Sequence, residues 1–171
     1  MPPVRVLLLH PSAGWYGADR QLLTLATGFD PARYRALVVL PERGALGVAL
    51  EEAGVEVVTA PLAALRRDMV RGRGLVDTAR KLARSRRELT RLVRDRRIPL
   101  VHTNTSILLG GQAAARAGGA RHLLHVREIY GREAGQALLW PLLRRRLLRA
   151  DRIACVSEAA AERWAEHQGS S

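Results

Sequence analysis

Four clusters of polar residues, each placed directly after a run of aliphatic residues, are the best candidates for chemistry. They are His10-Pro11-Ser12, His102-Thr103-Asn104, His125-Val126-Arg127-Glu128 and Ser157-Glu158. If the four runs are parallel strands of one sheet, all four clusters lie at its carboxyl edge, where open α/β sheets bind their ligands. The sequence therefore predicts a functional site along that edge.

The cluster around His125 is the strongest candidate for acid–base chemistry. A histidine at a strand end can accept a proton from a hydroxyl, and a nearby carboxylate can orient its ring. Strand alternation puts His125 and Arg127 on one side of the chain, with Glu128 on the other side or leading the loop. Two interpretations stay open: a catalytic histidine, or a histidine that is only hydrogen-bonded at a strand end.

Two glycines, Gly14 and Gly17, lie in the loop before the first predicted helix, and Asp19 lies in that helix's first turn, where a carboxylate favours the dipole. Glycines there let backbone N–H groups approach an anion at the positive helix end. The alternative is two glycines required only by a tight turn. The spacing is not the Gly-x-Gly-x-x-Gly of dinucleotide sites, so a nicotinamide or flavin cofactor is disfavoured.

The remaining polar residues divide between ligand contact and structural roles. After the fourth predicted strand, Asn104 suits a ligand contact and His102 suits the core. Ser157 is predicted to be the N-cap of the last helix. The single cysteine, Cys155, is predicted to be a small buried hydrophobe, and it excludes an internal disulfide or a thiolate metal cluster. The chain has no nucleophile elbow, His-Glu-x-x-His pair or P-loop, so hydrolase and nucleoside triphosphatase chemistry is not supported.

The elements that must position these clusters alternate between strand and helix. A chain of 171 residues with 47% hydrophobic residues has the length of one domain with a sizeable core. Hydrophobic runs predict six strands, at Val4–Leu9, Tyr34–Leu40, Val55–Thr59, Ile98–His102, His122–Val126 and Arg152–Val156. Periodicity and capping residues predict six helices, at about Ala18–Gly28, Ala45–Ala53, Leu75–Arg96, Ile107–Ala117, Glu133–Leu148 and from Glu158 onward. Residues 61–74 are predicted to be a mobile connection. The fold class is α/β: a Rossmann-like, doubly wound parallel sheet with helices on both faces.

The formal net charge of +12 raises nucleic acid or an anionic membrane as a partner. Lys81 is the only lysine among 28 basic residues, a skew that also fits arginine-rich coding bias, so the charge alone decides little. The helix predicted at 75–96 has a basic face that includes Arg80, Lys81, Arg84, Arg87 and Arg91. This face can lie on anionic lipid headgroups, or it can belong to a solvated helix that covers the sheet. Aromatic residues are not interleaved with it, which disfavours nucleic acid.

No targeting or membrane-spanning segment is expected. The apolar run before His10 is too short for a signal peptide, and no stretch approaches the roughly 20 apolar residues of a spanning helix. These features predict a cytoplasmic protein, with peripheral binding at the inner membrane face if the basic helix contacts lipid.

In chain order, the motifs resemble the amino-terminal domain of GT-B glycosyltransferases of the family 4 type. They are His10 with Gly14-x-x-Gly17-Ala-Asp19, then Val101-His-Thr-Asn-Thr105, Leu124-His-Val-Arg-Glu128 and Ala150-Asp-Arg-Ile-Ala-Cys-Val-Ser-Glu158. That family joins two Rossmann-like domains and transfers a sugar from an activated donor, usually a nucleotide sugar. Its acceptor is held mainly by the amino-terminal domain.

The resemblance implies a role for each candidate residue. His125 would be the catalytic histidine that lines the active site, and Gly14 and Gly17 would approach the donor phosphates and the acceptor. The acceptor cleft would be lined by His10, Asn104, Arg127 and Glu128. The loop departs from the commoner Gly-Gly-Ala-Glu run, because it reads Trp15-Tyr16-Gly17-Ala18-Asp19. No metal and no cofactor is implied.

The same resemblance implies that the acceptor and the donor are bound by two different domains. Residues 1–171 would be the single acceptor-side domain. The carboxyl-terminal domain, which carries the nucleotide-sugar site and a spaced pair of glutamates in that family, would be absent. The acceptor-side domain would then be inactive alone. The implied partners are a nucleotide-sugar donor and a saccharide or lipid-linked acceptor. The alternative is a non-catalytic basic α/β module that binds anionic membrane or nucleic acid through the 75–96 helix.

Overall fold

A computed structural model describes residues 2–64, 73–127 and 149–166. The strands are β1 Val4–Leu9, β2 Tyr34–Leu40, β3 Glu56–Thr59, β4 Ala63–Ala64, β5 Leu100–Thr103, β6 Leu108–Leu109, β7 Arg121–Val126 and β8 Arg152–Cys155. The helices are α1 Gly17–Thr27, α2 Ala45–Glu52, α3 Arg73–Asp95, α4 Gly111–Gly118 and α5 Glu158–Glu166. The helix predicted at 133–148 and the residue Glu128 lie outside the described residues.

Six of these strands form one sheet in the order β3-β2-β1-β5-β7-β8, and every pair in it is parallel. The direction of winding reverses between β1 and β5, which makes their carboxyl ends the switch point of a doubly wound sheet. The predicted fold class is confirmed.

The hydrophobic core lies on both faces of this sheet. In β1, Leu7 and Leu9 pack with residues of α3 and α4 on one face. Val6 and Leu8 pack with residues of α1 and α2 on the other face. Because alternate residues of a strand point to opposite faces, a strand covered on both sides must be apolar throughout. This explains the uninterrupted aliphatic run from which the strand was predicted.

One region differs from the sequence-based expectation. Ala63–Ala64, expected in a mobile connection, pairs antiparallel with Leu108–Leu109, expected in a helix. The helix predicted from Ile107 therefore begins four residues later, at Gly111. The physical reason is Gly110, whose φ of 94° is a left-handed conformation that ends the short strand and turns the chain into α4. A short apolar run cannot distinguish strand from helix by its periodicity.

Ser157 has its predicted role, whereas Cys155 is less buried than predicted. The backbone N–H of Ala160 donates to the Ser157 hydroxyl at 3.2 Å, which confirms Ser157 as the N-cap of α5. Cys155 is half-buried against Leu124 and Val126, and burial raises the pKa of its thiol. Among the described helices, none combines the length and the apolar character that crossing a bilayer requires.

Candidate functional site

The sheet register brings three of the four polar clusters together. Leu9 of β1 is paired with Thr103 of β5, so His10 and Asn104, the next residues, lie side by side. The ladder continues past the strands, because the Asn104 N–H donates to the Leu9 carbonyl at 3.0 Å. Thr103 is paired in turn with Leu124 of β7, so His125 follows on the other side of Asn104. The predicted convergence at the switch point is therefore present.

Asp19 fixes the loop between β1 and α1 to the end of β1. Its carboxylate accepts the Tyr16 backbone N–H at 2.7 Å, the Ser12 hydroxyl, and the His10 ring Nε2–H at 2.7 Å. The side chain is only 1% exposed. Sequence reasoning predicted a dipole interaction for Asp19 and missed this buried role. The available signal was an acidic residue at the third helical position, which is the acidic half of a capping box.

The Asp19 carboxyl is ionised at neutral pH. Burial acts to raise its pKa, but hydrogen bonds from Ser12, from the Tyr16 amide and from His10 outweigh burial and lower the pKa. A carboxylate that accepts three hydrogen bonds is stabilised in its charged form. Asp19 is therefore a fixed acceptor for the ring N–H of His10.

His10 is neutral and has a defined tautomer. Burial is the largest effect and lowers the pKa of His10, although the hydrogen bond and charge of Asp19 act to raise it and the charge of Arg127 to lower it. Since Nε2–H donates to Asp19, Nδ1 carries the lone pair and accepts from the Asn104 Nδ2 amide group at 3.0 Å. The Asn104 carbonyl then faces Arg127 and accepts from its Nη2 at 2.9 Å and its Nε at 3.3 Å.

These bonds form one directional series of side chains, Arg127 to Asn104 to His10 to Asp19, which we call the buried relay. His10 and Asn104 are 2% and 0% exposed, and each uses both of its polar groups within the relay. This burial favours positioning over direct contact with an acceptor, which differs from the expectation that both residues line the cleft. Arg127 is half-buried and is the member of the relay nearest the surface. Its Nη1 also donates to the Gln21 side-chain carbonyl on α1.

His125 stacks on His102 beside the relay. Their ring centroids are 5.6 Å apart and their planes differ by 21°. His102 is 6% exposed, which agrees with its predicted place in the core. Burial, followed by the charges of His125, Arg127 and His122, lowers the pKa of His102 to about 4. His102 is therefore neutral at physiological pH, and His125, which is half-buried, is the more accessible ring of the pair.

The two loop glycines differ in their surroundings. Neither has a left-handed φ, so no turn conformation requires glycine at either position. A Cβ added to Gly14 would approach the Tyr16 ring to 3.3 Å. A Cβ added to Gly17, the first residue of α1, would meet no heavy atom of the described chain within 4 Å. The space above the α1 N-terminus is therefore open, and Trp15 and Tyr16 beside it are 42% and 80% exposed.

The basic face of α3 is exposed from Arg80 to Arg91. All five residues singled out in the sequence, Arg80, Lys81, Arg84, Arg87 and Arg91, have exposed side chains. Arg84 is paired with Glu88 at 2.8 Å and Arg80 with Asp77 at 3.8 Å. The opposite face of the helix, with Leu89 and Val93, is used by the core. Within the described part of the chain, no group of three His, Cys, Asp or Glu residues could hold a metal ion.

A doubly wound parallel sheet with polar groups gathered at its switch point has the fold of the amino-terminal domain of GT-B glycosyltransferases. The family model "Glycosyltransferase Family 4" matches residues 15–171, and the chain belongs to that family. A comparison with curated proteins found no match.

Solved structures share the fold at low sequence identity. Anabaena Alr3699/HepE in complex with UDP and glucose has a TM-score of 0.71 at 20% identity, covering 97% of this chain and 42% of that one. The lipopolysaccharide outer core galactosyltransferase WaaB has 0.62 at 10% identity, with 98% and 43% covered. A UDP-N-acetylglucosamine 2-epimerase has 0.59 at 14% identity, with 99% and 46% covered. The chain therefore spans less than half the length of each of these solved chains, and the epimerase illustrates that this fold serves more than one reaction.

Proposed function

We propose that this chain is the acceptor-side domain of a glycosyltransferase that transfers a sugar from a nucleotide-sugar donor to a saccharide or lipid-linked acceptor. The observation that carries the proposal is the convergence of His10, Asn104, Arg127 and His125 at the switch point of a family 4 domain. The donor-binding domain would lie outside residues 1–171 and close over this edge. HepE, which was solved with UDP and glucose, supports a nucleotide sugar as donor.

In this proposal the edge is divided between two tasks. His125 lies at the reacting end, where its half-buried ring can accept a proton from the acceptor hydroxyl. The Gly14–Gly17 loop borders the open space above the α1 N-terminus, where backbone N–H groups favour the donor phosphates. Glu128 remains a candidate to orient His125.

Sugar transfer by the complete protein tests this proposal. Radiolabelled nucleotide sugars are supplied with saccharide and lipid-extract acceptors, and transfer to any of them supports the function. His125→Ala is expected to reduce kcat by about 100-fold or more, the usual effect of removing an acid–base group. Leu123→Ala is the matched control, because Leu123 is half-buried on the same side of β7 and carries no ionisable group. Undiminished transfer by the His125 variant would exclude His125 from catalysis.

We propose peripheral binding to an anionic membrane at the cytoplasmic face as a second property, supported by the five exposed basic side chains of α3. Because the apolar side of α3 is used by the core, attraction to lipid would be electrostatic and sensitive to salt. Sedimentation with phosphatidylglycerol vesicles tests it. Neutralising Arg84, Arg87 and Arg91 to Gln should abolish binding, whereas neutralising the exposed Arg35, Arg43 and Arg121 should not. Equal losses in both triple variants would mean that only net charge matters.

A further inference from the structure

One end of the buried relay is the buried Asp19 carboxylate, and the other is the half-buried Arg127 guanidinium, the member nearest the surface. A buried polar chain is costly unless every member is hydrogen-bonded, and here the bond directions are all determined by the neutral ring of His10. Reversing the Asn104 amide would set its Nδ2 group against the Arg127 donors and its carbonyl against the Nδ1 lone pair of His10. The relay therefore holds one orientation of Asn104 and, through it, one position of the Arg127 guanidinium.

The second support of Arg127 comes from α1. The Arg127 Nη1 donates to the side chain of Gln21. Gln21 lies four residues after Gly17, the first residue of α1, so Gln21 and Gly17 are about one helical turn, or roughly 6 Å, apart along the helix axis. Arg127 follows β7, and its guanidinium lies at the switch point between Asn104, which follows β5, and Gln21 in α1. Asn104 and Gln21 are both amides, and two acceptors on different elements fix the plane of a guanidinium.

We propose that Arg127, positioned by the Asp19–His10–Asn104 relay and by Gln21, binds a phosphate group of a substrate at the switch point. A planar, fixed guanidinium suits the bidentate recognition of a phosphate oxygen pair. Arg127 is the group that contacts the phosphate, and Asn104 and Gln21 are positioning residues. Two substrates could bring a phosphate here, a nucleoside diphosphate donor or an acceptor linked to lipid through a diphosphate. The inference rests on the proposed function only for this choice of source.

Binding by the full chain, measured without any transfer reaction, tests the proposal. Isothermal titration with inorganic pyrophosphate is expected to give saturable 1:1 binding that Arg127→Gln weakens at least about tenfold. Arg121→Gln is the matched control, because Arg121 is exposed and lies at the amino end of the same strand, so it makes the same charge change at the opposite edge. No binding by the wild type up to 10 mM pyrophosphate, or equal weakening by both variants, would overturn the proposal.

The role of Gln21 in positioning Arg127 can be tested without disturbing the core. Gln21 is exposed, so Gln21→Ala should leave the free energy of unfolding unchanged and weaken pyrophosphate binding by about threefold. Gln21→Glu should weaken it further, because a carboxylate beside the guanidinium repels the phosphate. Affinity that stays unchanged in both variants would overturn the role of Gln21.

The source of the phosphate is identified by comparing two soluble probes. Tighter binding of geranyl diphosphate than of UDP assigns the site to a lipid-linked acceptor, and the reverse order assigns it to the donor. In either case Arg127→Gln should weaken the tighter-binding probe at least about tenfold, because Arg127 contacts the phosphate itself, and an unchanged affinity would overturn the proposal. Sugar transfer by a wild-type protein that fails to bind pyrophosphate would leave the proposed function standing while this inference fails.

Discussion

His102 and His125 stack their imidazole rings with centroids 5.6 Å apart, joining the ends of β5 and β7. The two rings have unequal access to protons, because His102 is 6% exposed and has a pKa of about 4 whereas His125 is half-buried. At physiological pH His102 is therefore neutral, and His125 is the more accessible ring of the two. Such a division suits a site in which one histidine reacts and its neighbour supports it.

The low pKa of His102 predicts a stability that falls on acidification. In the unfolded chain His102 takes up a proton near pH 6.5, whereas in the folded chain it does so near pH 4. The unfolded state therefore binds more protons between these values, and the free energy of unfolding should decrease by up to about 3 kcal/mol as the pH falls from 6.5 to 4. His10, whose pKa is also lowered, acts in the same direction.

Urea unfolding of the wild type and of His102→Phe at several pH values measures this effect. Phenylalanine keeps a ring against His125 and cannot be protonated, so the variant should lose less stability between pH 6.5 and 4. The comparison uses the change in the free energy of unfolding with pH. A constant cost of repacking phenylalanine into the core does not affect that change. Identical slopes would mean that His102 titrates normally in the folded protein.

The sequence was sufficient to predict the layout of this edge. Uninterrupted aliphatic runs such as Val4–Leu9 identify strands that are covered on both faces, and the doubly wound order places β1 beside β5. The proximity of His10 and Asn104 follows from those two facts. Bond directions within the relay do not follow, because they depend on the protonation state of a ring whose burial is a tertiary property.

Asp19 and β6 indicate where sequence reasoning fails. The burial of Asp19 depends on the loop folding back over the end of β1, and local sequence signals only the favourable helix dipole. Leu108–Leu109 forms a strand because Ala63–Ala64 is available to pair with it across a long separation in sequence. Propensity and periodicity contain no information about either partner.

Replacing Asn104 by Asp should raise the pKa of His10. The ring of His10 would then have a carboxylate on each side, Asp19 at Nε2 and the new one at Nδ1, and two acceptors favour the imidazolium. The loss of stability on acidification should then be smaller than in the wild type, because a higher pKa of His10 in the folded protein lies closer to its pKa in the unfolded chain. Ring NMR titration of Asn104→Asp measures the shift directly. A His10 pKa no higher than in the wild type would contradict the contact between residue 104 and the Nδ1 atom of His10.

Gly17→Val should block ligand binding without destabilising the domain. The added side chain would occupy the space above the α1 N-terminus, where no described heavy atom lies within 4 Å of the Cβ position. A free energy of unfolding within about 0.5 kcal/mol of the wild type is expected, since the site is exposed and the backbone angles suit any residue. The affinity for UDP-sugars or pyrophosphate, measured by titration, should fall at least about tenfold.

Ala45→Val is the control for the glycine variant. Ala45 is the exposed first residue of α2, so the substitution introduces the same β-branched side chain at the same position of a neighbouring helix. Its ligand affinity should equal that of the wild type. A Gly17 variant that binds as well as this control would place the ligand away from the α1 N-terminus.

Asp19→Asn should destabilise the domain by about 2–4 kcal/mol at neutral pH. An amide has one acceptor oxygen where the carboxylate serves three donors, and its NH2 group would oppose the Ser12 hydroxyl, the Tyr16 amide or the His10 Nε2–H. Because the pKa of Asp19 is lowered, the stabilisation by the Asp19 carboxylate should be present above pH 3.8 and be lost only as the pH falls below that value.

Urea unfolding measures the loss of stability in Asp19→Asn, with Asp30→Asn as control. Asp30 is exposed and accepts only the Ala32 N–H at 2.9 Å among the contacts given by the structure, so its substitution should cost well under half as much. Equal losses in the two variants would mean that the buried relay does not depend on the charge of Asp19.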